Sequence, residues 1–103
     1  MKLLTKEIER KLAKNPLYSH EGEGTDAQVL VKFFNPVGRG TWLITEGNKL
    51  EDGNWELFGY FHIYDWEWGY IFLSDLESLR LPFGMKIERD IHARGTVAEN
   101  IKH

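Results

Sequence analysis

The 103-residue chain contains no cysteine. Disulfides, zinc–thiolate centres and thiol nucleophiles are excluded, and the fold draws nothing from an oxidising compartment. No apolar run approaches the roughly 20 residues that a membrane-spanning helix needs. The opening Met1-Lys2-Leu3-Leu4-Thr5-Lys6-Glu7 lacks the long apolar segment of a signal peptide. A cytoplasmic protein is the expectation. Internal repeats and low-complexity tracts are also absent. Basic residues are scarce in the middle of the chain. From Glu46 to Ser78 eight acids face a single base, Lys49, a formal −7, so the remainder carries +4 to give the net −3. Bases gather in the first segment (Lys2, Lys6, Arg10, Lys11, Lys14) and the last (Arg80, Lys86, Arg89, Arg94, Lys102). Such polarity can steer a partner, although a charge run most often marks only a solvated surface.

What is abundant is aromatic surface, and most of it lies in Trp55 to Leu73, WELFGYFHIYDWEWGYIFL. Trp55, Leu57, Phe61 and Ile63 alternate with Glu56, Tyr60 and His62, the period of a half-buried strand. Trp68 to Leu73 is continuously apolar, which predicts a strand buried more on both faces. Tyr64-Asp65-Trp66-Glu67 supplies the bend. The reading is an antiparallel hairpin at the centre of a sheet, with the core formed around it.

The rest of the chain, a single domain over 1–103, is arranged about that hairpin. Thr5 to Lys14 predicts a helix with the stripe Leu4, Ile8, Leu12, capped by Thr5 and stopped by Asn15-Pro16. Leu17 to Ala27 is a surface loop. Its Glu21-Gly22-Glu23-Gly24 lacks the flanking strand, helix and Lys-Ser/Thr of a phosphate-binding loop. Gln28 to Phe34 and Thr41 to Thr45 predict strands, and Glu46 to Asn54 a polar connection. Ser74-Asp75-Leu76-Glu77 has the form of a capping box opening a short helix to about Arg80. Met85 to Ile91 predicts a last strand, and the polar end, Ala93 to His103, is expected to fray. The fold class expected is α+β: an antiparallel sheet of about five strands, an N-terminal helix, and a short helix after the central aromatic hairpin.

Four separated blocks, VKFFNP (31–36), GTWLITE (40–46), GYIFLSDLESLR (69–80) and IERDIH (87–92), together with Leu3-Leu4-Thr5, resemble the small bacterial proteins of the domain of unknown function 2958 family in order and spacing. The resemblance covers nearly the whole chain and brings no established activity. It implies a context, since members are commonly encoded in plasmids, conjugative elements and phages, beside DNA-processing and anti-restriction genes. The enlarged aromatic hairpin from Trp55 to Trp68 departs from the family pattern.

The candidate constellations are few. Glu88, Asp90 and His92 share one face of the predicted last strand, and two carboxylates with an imidazole can hold a divalent metal if other ligands converge. Asp65 and Glu67 flank Trp66 at the hairpin bend, where carboxylates are usually solvated. His62 lies between Tyr60 and Tyr64 without a nucleophilic serine or threonine placed beside it. The acidity of the aromatic segment opposes phosphate binding, so direct nucleic-acid binding is disfavoured. No cofactor is implied. The residues favour a non-enzymatic binding protein in which Tyr60, His62, Tyr64, Asp65, Trp66 and Glu67 engage a partner with a basic surface. With the family context, that partner is a nuclease or other nucleic-acid enzyme, in an anti-restriction or anti-CRISPR role. Two alternatives stay open: a small metal-assisted or nucleic-acid-associated enzyme using Glu88, Asp90 and His92, and a homodimeric structural module.

Overall fold

The computed structural model describes residues 2–101. Helix α1, Lys6–Ala13, starts where Thr5 accepts a hydrogen bond from the Ile8 N–H at 3.2 Å. It ends where the Asn15 side chain caps the Lys11 carbonyl at 2.7 Å. Strand β1 is Val31–Phe34, β2 Thr41–Lys49, β3 Trp55–His62 and β4 Trp66–Phe72. Helix α2, Leu73–Ser78, follows directly, then strand β5, Glu88–Arg89, and helix α3, Val97–Asn100. All strand pairs are antiparallel in the order β4-β3-β2-β1-β5, which is the α+β architecture expected.

The position of the hairpin differs from expectation. Strand β2 is central and the aromatic hairpin β3–β4 lies at one end, with β4 as an edge strand. Strand β4 is therefore not buried on both faces: Trp68, Tyr70 and Phe72 are all exposed. An apolar run reads the same whether its neighbours cover both faces or leave one open, so periodicity could not separate the two.

Strand β2 also runs four residues further than its sequence indicates. Its pairing with β3 skips one residue between Ile44 and Glu46, a bulge at Thr45. The extra residue exchanges the faces: Trp42 and Ile44 lie inward before it, Gly47 after it, and Glu46 points outward opposite Phe58. Glu46-Gly47-Asn48 looks like a turn but is strand. A Cβ on Gly47 would sit 3.0 Å from a Leu57 methyl and 3.2 Å from one of Leu12, so the bare backbone lets α1 lie close on the sheet. At Gly59 a Cβ would come within 1.9 Å of the Leu43 carbonyl oxygen, and no side chain fits.

The main core lies on the inner face. Val31, Phe33, Trp42, Ile44, Trp55 and Leu57 meet Leu3, Leu4 and Leu12 from the N-terminal segment, Leu76 from α2, and Ile87. The Arg89 guanidinium donates to the Lys2 and Leu3 carbonyls and ties the N-terminal segment to β5.

Three further expectations are corrected. Ser74 is not an N-cap: α2 begins one residue earlier, after Phe72, without a side-chain cap. Asn54 supplies the missing partner across the hairpin. Its Oδ1 accepts from the Ser74 N–H at 3.1 Å and its Nδ2 donates to Ser74 Oγ at 2.9 Å. The capping box is at Thr96 and Glu99 instead, where Glu99 N–H donates to Thr96 Oγ1 and Thr96 N–H to Glu99 Oε1. It opens α3 in the segment expected to fray, and Val97 there is fully buried; Lys102 and His103 lie outside the described residues. The last strand is two residues rather than seven. Phe83 in left-handed backbone (φ 62°) disrupts its approach, and Asp90 starts a turn by accepting from the His92 N–H at 2.8 Å.

Candidate binding face

The outer face of β3 and β4 carries a ladder of rings. Register pairs Phe58 with Tyr70, Tyr60 with Trp68, and His62 with Trp66. Antiparallel pairing brings opposed side chains on one face within a few ångströms, so alternate aromatics on both strands must stack. Phe58 and Trp68 are nearly parallel with centroids 5.6 Å apart. Tyr60 stacks on Trp66 at 5.1 Å and tilts against Trp68 at 4.6 Å. His62 meets Trp66 at 5.0 Å, and Phe58 meets Tyr70 at 4.8 Å. No register shift interrupts this pair of strands, so the rings form one continuous row.

The structure thus brings together Tyr60, His62 and Trp66 of the sequence-derived set. Tyr64, 79% exposed, and Asp65 lie in the turn beyond them. Glu67 is on the opposite face of β4, across from Phe61. Phe58, Trp68 and Tyr70 belong to the ladder but were absent from that set. The signal for them was present: Trp66, Trp68, Tyr70 and Phe72 alternate, as Phe58, Tyr60 and His62 do.

A strap, residues 17–30, borders the ladder. It is held by Glu46, a residue only 3% exposed, whose carboxylate accepts from the Tyr18 N–H and the His20 N–H, each at 2.8 Å. Asn48 Oδ1 accepts from the Leu17 N–H at 3.0 Å. The bulge at Thr45 is what aims Glu46 at the strap. His20 places Nδ1 2.6 Å from Glu23 and Nε2 2.5 Å from the Asn15 side-chain oxygen. Further along, the Val97 N–H donates to the Ala27 carbonyl and the Val29 N–H to the Gly95 carbonyl. The strap and the C-terminal segment are thereby joined, and Leu43 on the outer face of β2 is fully buried.

Between the strap and the ladder is an open cleft of about 400 Å³, lined by Tyr18, His20, Glu21, Gly22, Gly24, Ala27, Thr45, Glu46, Phe58, Trp68 and Tyr70. It contains aromatic rings and carboxylates and no lysine or arginine. Tyr18 holds a left-handed backbone (φ 73°) at its mouth, a conformation that costs a non-glycine residue about 1 kcal/mol or more. The Tyr18 hydroxyl, hydrogen-bonded to Tyr70, holds the Tyr70 phenol above its ordinary value; partial burial and the Glu46 and Glu56 carboxylates act in the same direction.

The proposed metal residues do not converge. Asp90 lies 3.5 Å from the Lys32 ammonium, and His92 follows in an exposed turn. Among the described residues no three His, Asp or Glu side chains gather as a metal site, and no helix is long and apolar enough to cross a membrane.

No curated protein and no solved structure matches the chain. Residues 3–99 match the family model described as "Protein of unknown function (DUF2958)", and the chain, which carries an aromatic ladder on its outer face, belongs to that family.

Proposed function

We propose that the protein is a non-enzymatic binding factor whose aromatic ladder docks onto a basic surface of another protein. The observation that carries this reading is the continuous ring row in which half-buried Phe58, Tyr60 and Trp66 support exposed Trp68 and Tyr70, beside an acidic strap and an acidic turn. Large flat rings give area at little entropic cost and anchor interfaces. Glu21, Glu23, Glu56 and Asp65 around them favour a positively charged partner. The context implied by the family resemblance makes that partner a nucleic-acid enzyme, met by a cytoplasmic protein of a mobile genetic element in an anti-restriction or anti-CRISPR role.

The test begins with affinity capture from a bacterial host and mass spectrometry of the bound protein, followed by binding kinetics. Trp66→Ala should weaken the complex by about 2 kcal/mol, mainly through faster dissociation. Asp65→Lys with Glu56→Lys, both on the ladder's side of the hairpin or its turn, should slow association and flatten its salt dependence. If both variants bind the captured partner as wild type does, the ladder is not the interface.

A second reading, self-association, has its own support. Strand β4 is an unpaired edge of seven residues with neither lysine, arginine nor proline, and such edges readily accept another strand. Sedimentation velocity over a concentration series tests it, and a concentration-independent monomer removes it.

A further inference from the structure

We infer that the cleft between the strap and the ladder is a receptor for a guanidinium group, presented by an arginine side chain of the protein partner. The inference rests on the reading above and adds to it the chemistry of one contact.

The cleft has the size of a small-ligand site. One wall is the ring row of Phe58, Trp68 and Tyr70, with Phe58 stacked on Trp68 and tilted against Tyr70 across the two strands. The opposite wall is strap backbone, where Gly22 and Gly24 have positive φ and open space where a side chain would be. The strap therefore does not fill the cleft with its own side chains. Its charges are of one sign, from Glu21 at the rim and Glu46 at the floor, and no lysine or arginine lines it. The only other ionisable base, His20, is engaged by Glu23 and Asn15.

An aromatic wall attracts cations through the negative face of each ring. A carboxylate rim strengthens that attraction and repels anions. Arginine suits the site better than lysine for two reasons. Its flat, weakly hydrated head stacks on rings, and its fork of donors can reach the phenol oxygens and Glu21 at the same time. Glu46 already accepts two backbone hydrogen bonds, so it contributes field and fixes the wall while Glu21 stays free to pair with the ligand. Charge complementarity also links the cleft to its neighbourhood, because the chain between Lys49 and Arg80 holds no lysine or arginine of its own.

The probe is N-acetyl-arginine amide, titrated into ¹⁵N-labelled protein while the indole N–H signals of the four tryptophans are followed. The expected result is a saturable shift of the Trp68 signal with a Kd on the order of millimolar. Buried Trp42 and Trp55 should not move. The citrulline analogue, equal in shape but uncharged, should bind at least about tenfold more weakly. Glu21→Lys, an exposed change that leaves the core untouched, should weaken the arginine probe by about tenfold or more. A silent Trp68 signal overturns the inference, as does citrulline binding equal to arginine. An N-acetyl-lysine amide that binds as tightly overturns the guanidinium assignment. Free arginine binding far more tightly than the capped form overturns the partner as its source. If the cleft takes no arginine but Trp66→Ala still releases the captured partner, the docking face stands and this inference alone fails.

Discussion

Trp55 and Trp68 belong to one hairpin, thirteen residues apart, yet Trp55 is 4% exposed and Trp68 is 41% exposed. The first lies on the inner face, under α1 and the N-terminal segment. The second lies on the outer face, where an open cleft separates it from most of the strap. The outer face of the hairpin is the richer in aromatics, yet it is the less covered. The inner face converts its aromatics into stability. The outer face keeps its aromatics ordered by stacking them on each other, which leaves one side of each ring available. Exposed aromatic area of this kind on a small protein marks an interaction surface more often than a folding need.

The largest expected effect sharpens that contrast. Trp55→Ala should destabilise the fold by about 3–5 kcal/mol, because it empties a filled site in the core. Trp68→Ala should cost about 1 kcal/mol or less, since it removes only partial burial and ring–ring contact. Urea denaturation of the two variants measures the difference. Equal losses would mean that the outer ladder is a second core.

A smaller effect separates the strap from both faces. Glu46→Ala removes the acceptor for the Tyr18 and His20 backbone N–H groups at once. It should cost about 1–3 kcal/mol, the usual penalty for stranding donors in a part-buried site. Hydrogen exchange should accelerate at Tyr18 and His20 and stay slow at Leu57. Uniform acceleration would show that the strap is not a separate unit.

The smallest effect is on titration. Tyr70 should ionise above the ordinary tyrosine value, and Tyr18→Phe should bring it down by removing the hydrogen bond that contributes most. The sign follows from linkage. A phenol whose folded pKa is raised retains its proton after the unfolded chain has lost it. Stability therefore falls as pH rises from the unfolded value of about 10 to the folded one. NMR titration of the Tyr70 ring signal in wild type and Tyr18→Phe reads this directly, and an unmoved Tyr70 midpoint would exclude the Tyr18–Tyr70 coupling.

How far the chain could be read in advance depended on the range of each interaction. Helix α1 was legible to its caps, since Thr5 and Asn15 act within four residues of their partners. The alternation in β3 was legible because a strand displays its two faces every second residue. The same motif, Ser/Thr-x-x-Glu, occurs at Ser74 and at Thr96, and only the second forms a box. At Ser74 the backbone donor is taken by Asn54, twenty residues earlier, and nothing local distinguishes the two. The candidate site divides in the same way. Tyr60 and His62 were recognisable from alternation, Trp66 was read as part of the bend but opens β4, and Tyr18 and Glu46 reach the cleft only because the strap folds back on β2.

By itself the sequence determined the α+β class, the N-terminal helix, the aromatic hairpin, the acidity around it and the family. These follow from short-range periodicity, capping and composition, each complete within one segment. Tertiary structure alone decided that β2 rather than the hairpin is central, that Thr45 bulges and turns Glu46 outward, that Asn54 replaces a local cap, and that one aromatic face is covered while the other stays open. Each of these depends on which segment occupies the space beside a strand, and that competition is settled by packing the whole chain at once.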